Sequence, residues 1–148
     1  MRKIHTPAAE RVKYEDIYVN YESRKIFIRH YYPEKCKDPS KLPLLIYVLF
    51  QHRNFLSSQF AIRHNLEVVS INHSLSPEVK YGCAIDEIYT VYCDIMKKSS
   101  DNRKIFLSGD SSGGKFAPCL IHKIKKENNV RIPTALLLFY PVCDLVTD

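Results

Sequence analysis

The sequence has 148 residues, of which 45% are hydrophobic, and a chain of this size can bury one core and form one domain. Its formal net charge of +6 is spread over lysines and arginines that stand singly or in short runs, without the aromatic-interleaved basic stripe of nucleic-acid-binding proteins. No apolar run approaches the ~18 residues of a membrane span, so the sequence predicts neither a nucleic-acid partner nor a membrane span.

The cysteines and the N-terminus indicate a cellular compartment. The five cysteines form no CxxC pair and have no Cys/His metal spacing, a pattern typical of reduced thiols in a cytosolic protein. Residues 1–16 carry charges every few positions and lack the apolar stretch of a signal peptide. The sequence therefore predicts a cytoplasmic protein with no metal site, in which residues 1–16 form a short N-terminal extension.

The first predicted elements are β-strands. Residues 17–21 and 25–32 are β-prone and predict an antiparallel hairpin. Residues 44–50 and 68–71 are almost unbroken apolar runs, which indicates strands that are covered on both faces. The remaining predicted elements are helices over residues 55–65, 84–98 and 112–127, a loop over residues 77–82, and strands over residues 105–107 and 135–140.

The order of these elements predicts the fold class. Strands that alternate with helices indicate an α/β protein with a parallel, doubly wound sheet. The helix over residues 84–98 has an amphipathic spacing, with Glu87 off its apolar stripe. Folds of this class often need about 200 residues or more. We therefore expect residues 1–148 to form a single, incomplete domain.

A cluster of glycines marks the candidate site. Three of the four glycines lie in residues 109–114, with sequence GDSSGG, between a predicted strand and a predicted helix. This context predicts a nucleophile elbow, in which a serine sits on a sharp strand-to-helix turn. Such a turn leaves no room for bulk two residues before and after the serine, where Gly109 and Gly113 stand. Ser111 is then the candidate catalytic nucleophile, and the backbone N–H of Ser112 would point toward an oxyanion.

Three other interpretations of this segment remain open. Gly109, Gly114 and Lys115 fit most of a phosphate-binding P-loop, but Phe116 stands where that loop needs a magnesium-binding serine or threonine. A match to the serine motif of chymotrypsin-like proteases fails, because a second serine intervenes and the surroundings are βα rather than all-β. A glycine-rich turn without function is the third interpretation. Context favours the elbow.

Three motifs together resemble one family. GDSSGG resembles the GDSAGG elbow of hormone-sensitive-lipase-type esterases, the alpha/beta hydrolase fold-3 family. Residues 68–78 (VVSINHSLSPE) resemble its VVSVDYRLAPE segment, and residues 139–144 (FYPVCD) resemble its YPv.D strand end. The resemblance implies an α/β-hydrolase-type, mostly parallel sheet that is truncated after about the sixth strand. It also implies a carboxylic-ester hydrolase that acts on a small acyl ester and needs no cofactor.

The sequence departs from the family at the oxyanion loop. The family has HGGG after the strand matched by residues 44–50, and its glycine N–H groups complete the oxyanion hole. Residues 51–54 read QHRN instead, so that His52 and Arg53 become the candidate oxyanion residues beside Ser112. Side chains at these positions impede the approach of a substrate carbonyl. The loss of one oxyanion donor typically lowers the rate by ~10²–10³.

The triad is also incomplete. Family order is serine, then acid, then histidine, and the resemblance places the last two beyond the strands of this chain. Only His122 follows Ser111, about three turns along the same helix and ~16 Å away, so it cannot be the base. His52 is the one histidine expected near Ser111, but an exposed loop residue is the more ordinary interpretation of it. A serine hydroxyl without a base is a poor nucleophile.

Two functions follow from these observations. The first is an esterase whose missing strands, acid and histidine belong to a C-terminal partner chain or were lost. The second is a non-catalytic remnant, or a module that binds a small ligand beside Ser111. In both cases the isolated chain is expected to be inactive. The strand over residues 135–140 is expected at the edge of the sheet, where a partner chain or a second copy would bind.

Overall fold

In the computed structural model of the protein, the described residues are 12–48, 54–74 and 81–143. They form six strands and three α-helices. The strands are β1 (Val12–Tyr21), β2 (Arg24–Pro33), β3 (Leu44–Val48), β4 (Glu67–Asn72), β5 (Ile105–Asp110) and β6 (Ala135–Phe139), and the helices are α1 (Asn54–His64), α2 (Tyr81–Lys98) and α3 (Ser112–Glu127).

The strands form one sheet in the order β1-β2-β4-β3-β5-β6. The hairpin β1–β2 is antiparallel, and β2 joins β4 in the antiparallel sense. The remaining pairs, β4–β3, β3–β5 and β5–β6, are parallel and are connected through helices. This mostly parallel, doubly wound α/β sheet confirms the predicted fold class.

Both faces of the central strands are covered, as their continuous apolar sequences predicted. Every residue of β3 is buried. On one face, Ile46 and Leu107 pack in a core with α2 and α3; on the other, Leu45 and Tyr47 pack with α1. Neighbouring positions along a strand therefore serve opposite cores, which is why these strands show no polar alternation. No helix within the described ranges is long and apolar enough to cross a membrane.

The first strand begins earlier than predicted. β1 starts at Val12, so that residues 12–16 belong to the sheet and not to the predicted N-terminal extension. Cross-strand contacts stabilise this charged stretch, since Asp16 forms an ion pair with Arg29 and Glu15 accepts a hydrogen bond of 2.8 Å from Tyr32 Oη. Opposite charges across a strand pair are favourable, whereas sequence patterns weigh the same charges against a strand.

A buried ionic cluster lies at the amino ends of the parallel strands, the end of the sheet opposite Ser111. Glu67 binds the guanidinium of Arg103, and its Oε1 lies 2.8 Å from His30 Nδ1. Arg103 also donates to Leu42 O at 2.7 Å and to Pro39 O at 2.9 Å. Burial raises the pKa of the Glu67 carboxyl, but the hydrogen bonds from His30 and Arg103 outweigh it and hold the pKa below its ordinary value. The cluster therefore joins residues at or just before the starts of β3, β4 and β5.

Candidate active site

Ser111 lies at the turn between β5 and α3, as the sequence predicted. It is half-buried, and its backbone angles are φ 53° and ψ −120°. A residue with a Cβ rarely adopts a positive φ, and this backbone conformation costs of order 1–3 kcal/mol. The turn therefore holds a serine in a strained conformation at the carboxyl end of the parallel strands, where open α/β sheets place their binding crevices.

Gly109 and Gly114 allow the backbone segments of this turn to approach each other closely, because they have no side chains. A Cβ on Gly109 would lie 2.8 Å from Gly114 N and closer still to the carbonyl group of Gly113. A Cβ on Gly114 would lie 2.8 Å from Pro141 Cβ. The end of β5 thus touches the first turn of α3, and α3 in turn touches the segment after β6. The steric requirement predicted for Gly109 is confirmed and Gly114 shares it, whereas that for Gly113 stays a prediction.

The segment 139–142 holds the turn at Ser111 by hydrogen bonds on its other side. Ser111 N donates to Phe139 O, and Val142 N donates to Ser111 O, both at 3.1 Å. Tyr140 Oη donates to Asp110 Oδ2 at 3.1 Å. Sequence reasoning treated this segment only as a strand end, because the contact depends on the pairing of β5 with β6.

The candidate oxyanion residues fall in two groups. Ser112 is the first residue of α3, and the first amides of a helix have no intrahelical partner, so they are suited to an anion. Its Oγ is buried without a hydrogen-bond partner among the described residues. His52 and Arg53 lie outside the described residues. Of the three predicted oxyanion residues, Ser112 alone lies within the described part of the chain, and its role stays a prediction.

The described histidines supply no base at Ser111. His30 binds Glu67 at the opposite end of the sheet. His64 and His122 are exposed on their helices, which agrees with the exclusion of His122 as a base. Among the described residues, no histidine hydrogen-bonds to Ser111. No group of residues in the described ranges has the donors and spacing to hold a metal ion.

His73 was not singled out by sequence reasoning. It follows β4 at the carboxyl end of the sheet, is 2% exposed, and packs edge-to-face on Phe116 of α3 with ring centroids 4.6 Å apart. Neither ring nitrogen has a hydrogen-bond partner among the described residues. Burial lowers the pKa of His73 to about 4, although the Glu87 carboxylate acts in the opposite direction. The imidazole is therefore neutral at neutral pH.

Comparison with known proteins assigns the family. The family model described as alpha/beta hydrolase fold matches residues 44–148. The chain belongs to the alpha/beta hydrolase family. An esterase of Acinetobacter venetianus is 32% identical over 90 residues, covering 61% of this chain and 29% of the esterase. Mouse hormone-sensitive lipase is 30% identical over 99 residues, covering 64% of this chain and 13% of the lipase.

Solved structures agree on the fold. An esterase of Pyrobaculum calidifontis superimposes with a TM-score of 0.81 at 24% identity, covering 92% of this chain and 47% of the esterase. An esterase of Rhizomucor miehei gives a TM-score of 0.78 at 24% identity, covering 95% of this chain and 49% of the esterase. This alpha/beta hydrolase chain therefore spans about half the length of these solved structures and under a third of the two sequence relatives.

An ion pair with one buried partner lies beside the segment that follows β4 in this alpha/beta hydrolase. Glu87 of α2 is 1% exposed and pairs with Arg24 Nη1 at 2.8 Å. Ser74 binds the same carboxylate through its N at 2.8 Å and its Oγ at 3.0 Å. Arg24 and Ser74 thus satisfy a buried carboxylate beside the segment that contains His73. Glu87 lay off the apolar stripe of α2, and its burial was not predicted.

The strain at Ser111 can be measured by removing its Cβ. We expect Ser111→Gly to raise the free energy of unfolding by about 1 kcal/mol, because relief of the strain exceeds the added flexibility of glycine in the unfolded chain. Ser111→Ala keeps a Cβ and is expected to stay within about 0.5 kcal/mol of the natural protein. Urea denaturation of the three proteins checks this. A glycine variant less stable than the alanine variant would contradict the strained turn.

Proposed function

We propose that this alpha/beta hydrolase chain is the nucleophile-bearing part of a serine carboxylic-ester hydrolase, and that Ser111 is the nucleophile. The observation that carries the proposal is the strained backbone of Ser111 on a strand-to-helix turn packed by Gly109 and Gly114. A strained serine persists only where surrounding contacts enforce it, and such positions cluster at active sites. The names of the relatives, esterase and hormone-sensitive lipase, support an acyl ester as substrate.

The proposed chemistry assigns two roles to described residues. Ser111 Oγ would attack the ester carbonyl, and the Ser112 N–H would stabilise the oxyanion of the tetrahedral intermediate. Attack requires a general base that accepts the hydroxyl proton, and the described histidines supply none at Ser111. We therefore propose that the chain by itself does not turn over esters, and that the base and its acid come from polypeptide outside the described residues.

The test separates the nucleophile from its base. We expect the natural chain and Ser111→Ala to hydrolyse p-nitrophenyl acetate at the same background rate. Imidazole added as an external base is expected to raise the rate of the natural chain above that of Ser111→Ala, since it can accept the Ser111 proton. Equal rates in imidazole would remove Ser111 as the nucleophile. A Ser111-dependent rate without imidazole would show that the chain has its own base, and His52→Ala would then test the remaining candidate.

A non-catalytic protein that binds a small ligand is the second candidate. The QHRN sequence at residues 51–54, where the family has HGGG, favours it. A short-chain trifluoromethyl ketone with imidazole added as the base distinguishes the two functions, because it adds covalently to a nucleophilic serine whose proton a base can accept. A binding module would bind the ketone equally well with Ser111 or Ala at position 111.

We also propose a cytoplasmic location. Cys36, Cys83, Cys93 and Cys119 are partly buried free thiols, and Cys143 is an exposed one. Free thiols persist in a reducing compartment, whereas oxidising compartments favour disulfides. Fractionation of cells that express the protein with a small epitope tag would test the location.

A further inference from the structure

A cavity of about 210 Å³ lies between the sheet and the C-terminal part of α2, toward the end of the sheet opposite Ser111. Apolar side chains from β1, β2, β3, β4 and α2 form much of its wall: Ile17, Ile28, Leu44, Val69 and Ile95. These are the four strands farthest from β6. An apolar cavity of about 150 Å³ is large enough to hold benzene. The space therefore fits a molecule of one six-membered ring with a small substituent.

The ionic cluster of Glu67, Arg103 and His30 forms the polar side of this cavity. The side chains of Glu67 and Arg103 are 10% and 8% exposed, and their mutual contact fixes them in place. His30 Nδ1 lies 2.8 Å from Glu67 Oε1, and a carboxylate can only accept, so Nδ1 carries the hydrogen of this bond. No described residue hydrogen-bonds to the other ring nitrogen, Nε2. Nε2 is therefore available to a ligand.

The charges in the wall of the cavity cancel in pairs. Glu67 binds Arg103. Asp94 accepts a hydrogen bond of 2.6 Å from Lys98 Nζ. A charged ligand would therefore lose its hydration without meeting an unpaired charge of opposite sign. His30 Nε2 is an acceptor in the neutral imidazole and a donor in the protonated one, and a hydroxyl group matches both forms because it can donate and accept.

We propose that this cavity binds a small neutral molecule with a hydroxyl group on an apolar ring, such as a phenol. The ring would contact the apolar wall, and the hydroxyl group would hydrogen-bond to His30 Nε2. Asp94 and Lys98 also line a groove of about 500 Å³ between β1 and α2, which gives the ligand a path of entry. The side chain of Lys98 is 71% exposed, so it can move aside as a ligand enters.

The first test uses phenol as the probe, and its binding is measured by NMR titration. We expect saturable binding to the natural chain at about millimolar concentrations. Ile95→Phe is expected to lower the affinity at least about tenfold, because the larger ring fills the cavity from α2. Ile121→Phe is the matched control, since Ile121 lies on α3 and does not line the cavity. Ser111→Ala should also bind like the natural chain, which separates this cavity from any pocket beside Ser111.

The hydroxyl contact has its own variant. His30→Phe keeps a ring at this position and removes Nε2. We expect the preference for phenol over toluene, taken as the ratio of the two affinities, to fall by about fivefold in His30→Phe, the typical effect of one hydrogen bond. Circular dichroism checks the fold of each variant.

Three results would overturn the proposal. The first is no saturable binding of phenol to the natural chain, as expected of a cavity that holds only water. The second is equal affinity of the natural chain and Ile95→Phe for phenol, which would place the binding elsewhere. The third is an unchanged preference for phenol in His30→Phe. The inference does not depend on the chemistry of Ser111.

Discussion

Acidification from pH 6.5 to pH 4 is expected to reduce the free energy of unfolding by about 3 kcal/mol through His73. Burial holds the pKa of His73 at about 4, compared with 6.5 in an unfolded chain. Between these values the unfolded state binds the proton and the folded state does not, so stability falls as the pH falls. The stability is fully present above pH 6.5 and is lost by about pH 4. One pKa unit corresponds to about 1.4 kcal/mol.

Denaturant titrations at a series of pH values measure this loss. His73→Phe is the informative variant, because a phenyl ring keeps the edge-to-face contact with Phe116 and cannot titrate. Its stability is expected to change much less over this pH interval. His122→Gln is the matched control, since His122 is exposed and its removal should leave the pH dependence intact. Parallel curves for the natural chain and His73→Phe would show that His73 does not cause the acid sensitivity.

Gly109→Ala is expected to lower the free energy of unfolding by about 3 kcal/mol or more. The added Cβ would lie 2.8 Å from Gly114 N and closer still to the Gly113 carbonyl. These are backbone atoms of the first turn of α3, so they can move only if the turn at Ser111 opens. Overpacking that no rotamer change can relieve typically costs ~1–3 kcal/mol, and more against a rigid backbone.

Gly82→Ala is the matched control for this substitution. A Cβ at Gly82 would meet no atom within 4 Å, and Gly82 lies in α2. Alanine is a better helix former than glycine by up to about 1 kcal/mol, so this variant should be as stable as the natural chain or more so. Urea denaturation compares the two variants directly. Similar unfolding midpoints for both would mean that β5 and α3 are not in contact at the elbow.

Most of the fold follows from local patterns in the sequence. Residues 44–48 and 68–71 are almost unbroken apolar runs because β3 and β4 are covered on both faces, so composition alone indicates central strands. The strand-to-helix turn at Ser111 was predictable because it needs a residue without a side chain two positions before the serine, where Gly109 stands. Such features depend on residues that are close together in the chain.

The structural features that the sequence did not predict depend on contacts between residues that are far apart in the chain. The start of β1 at Val12 relies on ion pairs and hydrogen bonds with β2, and a charged stretch gives no strand signal by itself. Glu87 lies off the apolar stripe of α2, yet Arg24 and Ser74 bring enough partners to bury it. The apolar periodicity of a helix does not reveal a buried carboxylate whose hydrogen-bond partners come from other parts of the chain. The low pKa of His73 could not be predicted from the sequence either, because it is caused by burial, and α3, which packs on the imidazole, is distant in the chain.

The hydrogen bonds between Ser111 and the segment 139–142 make the geometry of the turn depend on the local stability of β6. The Ser111 amide donates to Phe139 O at the end of β6, and the Ser111 carbonyl accepts from Val142 N just after β6. Parts of a protein open by local unfolding at free energies that range from near zero to the free energy of global unfolding. When β6 separates from β5, the amide and the carbonyl of Ser111 lose these partners, and little then holds its φ positive. The strained turn therefore lasts no longer than the pairing of β6 with β5.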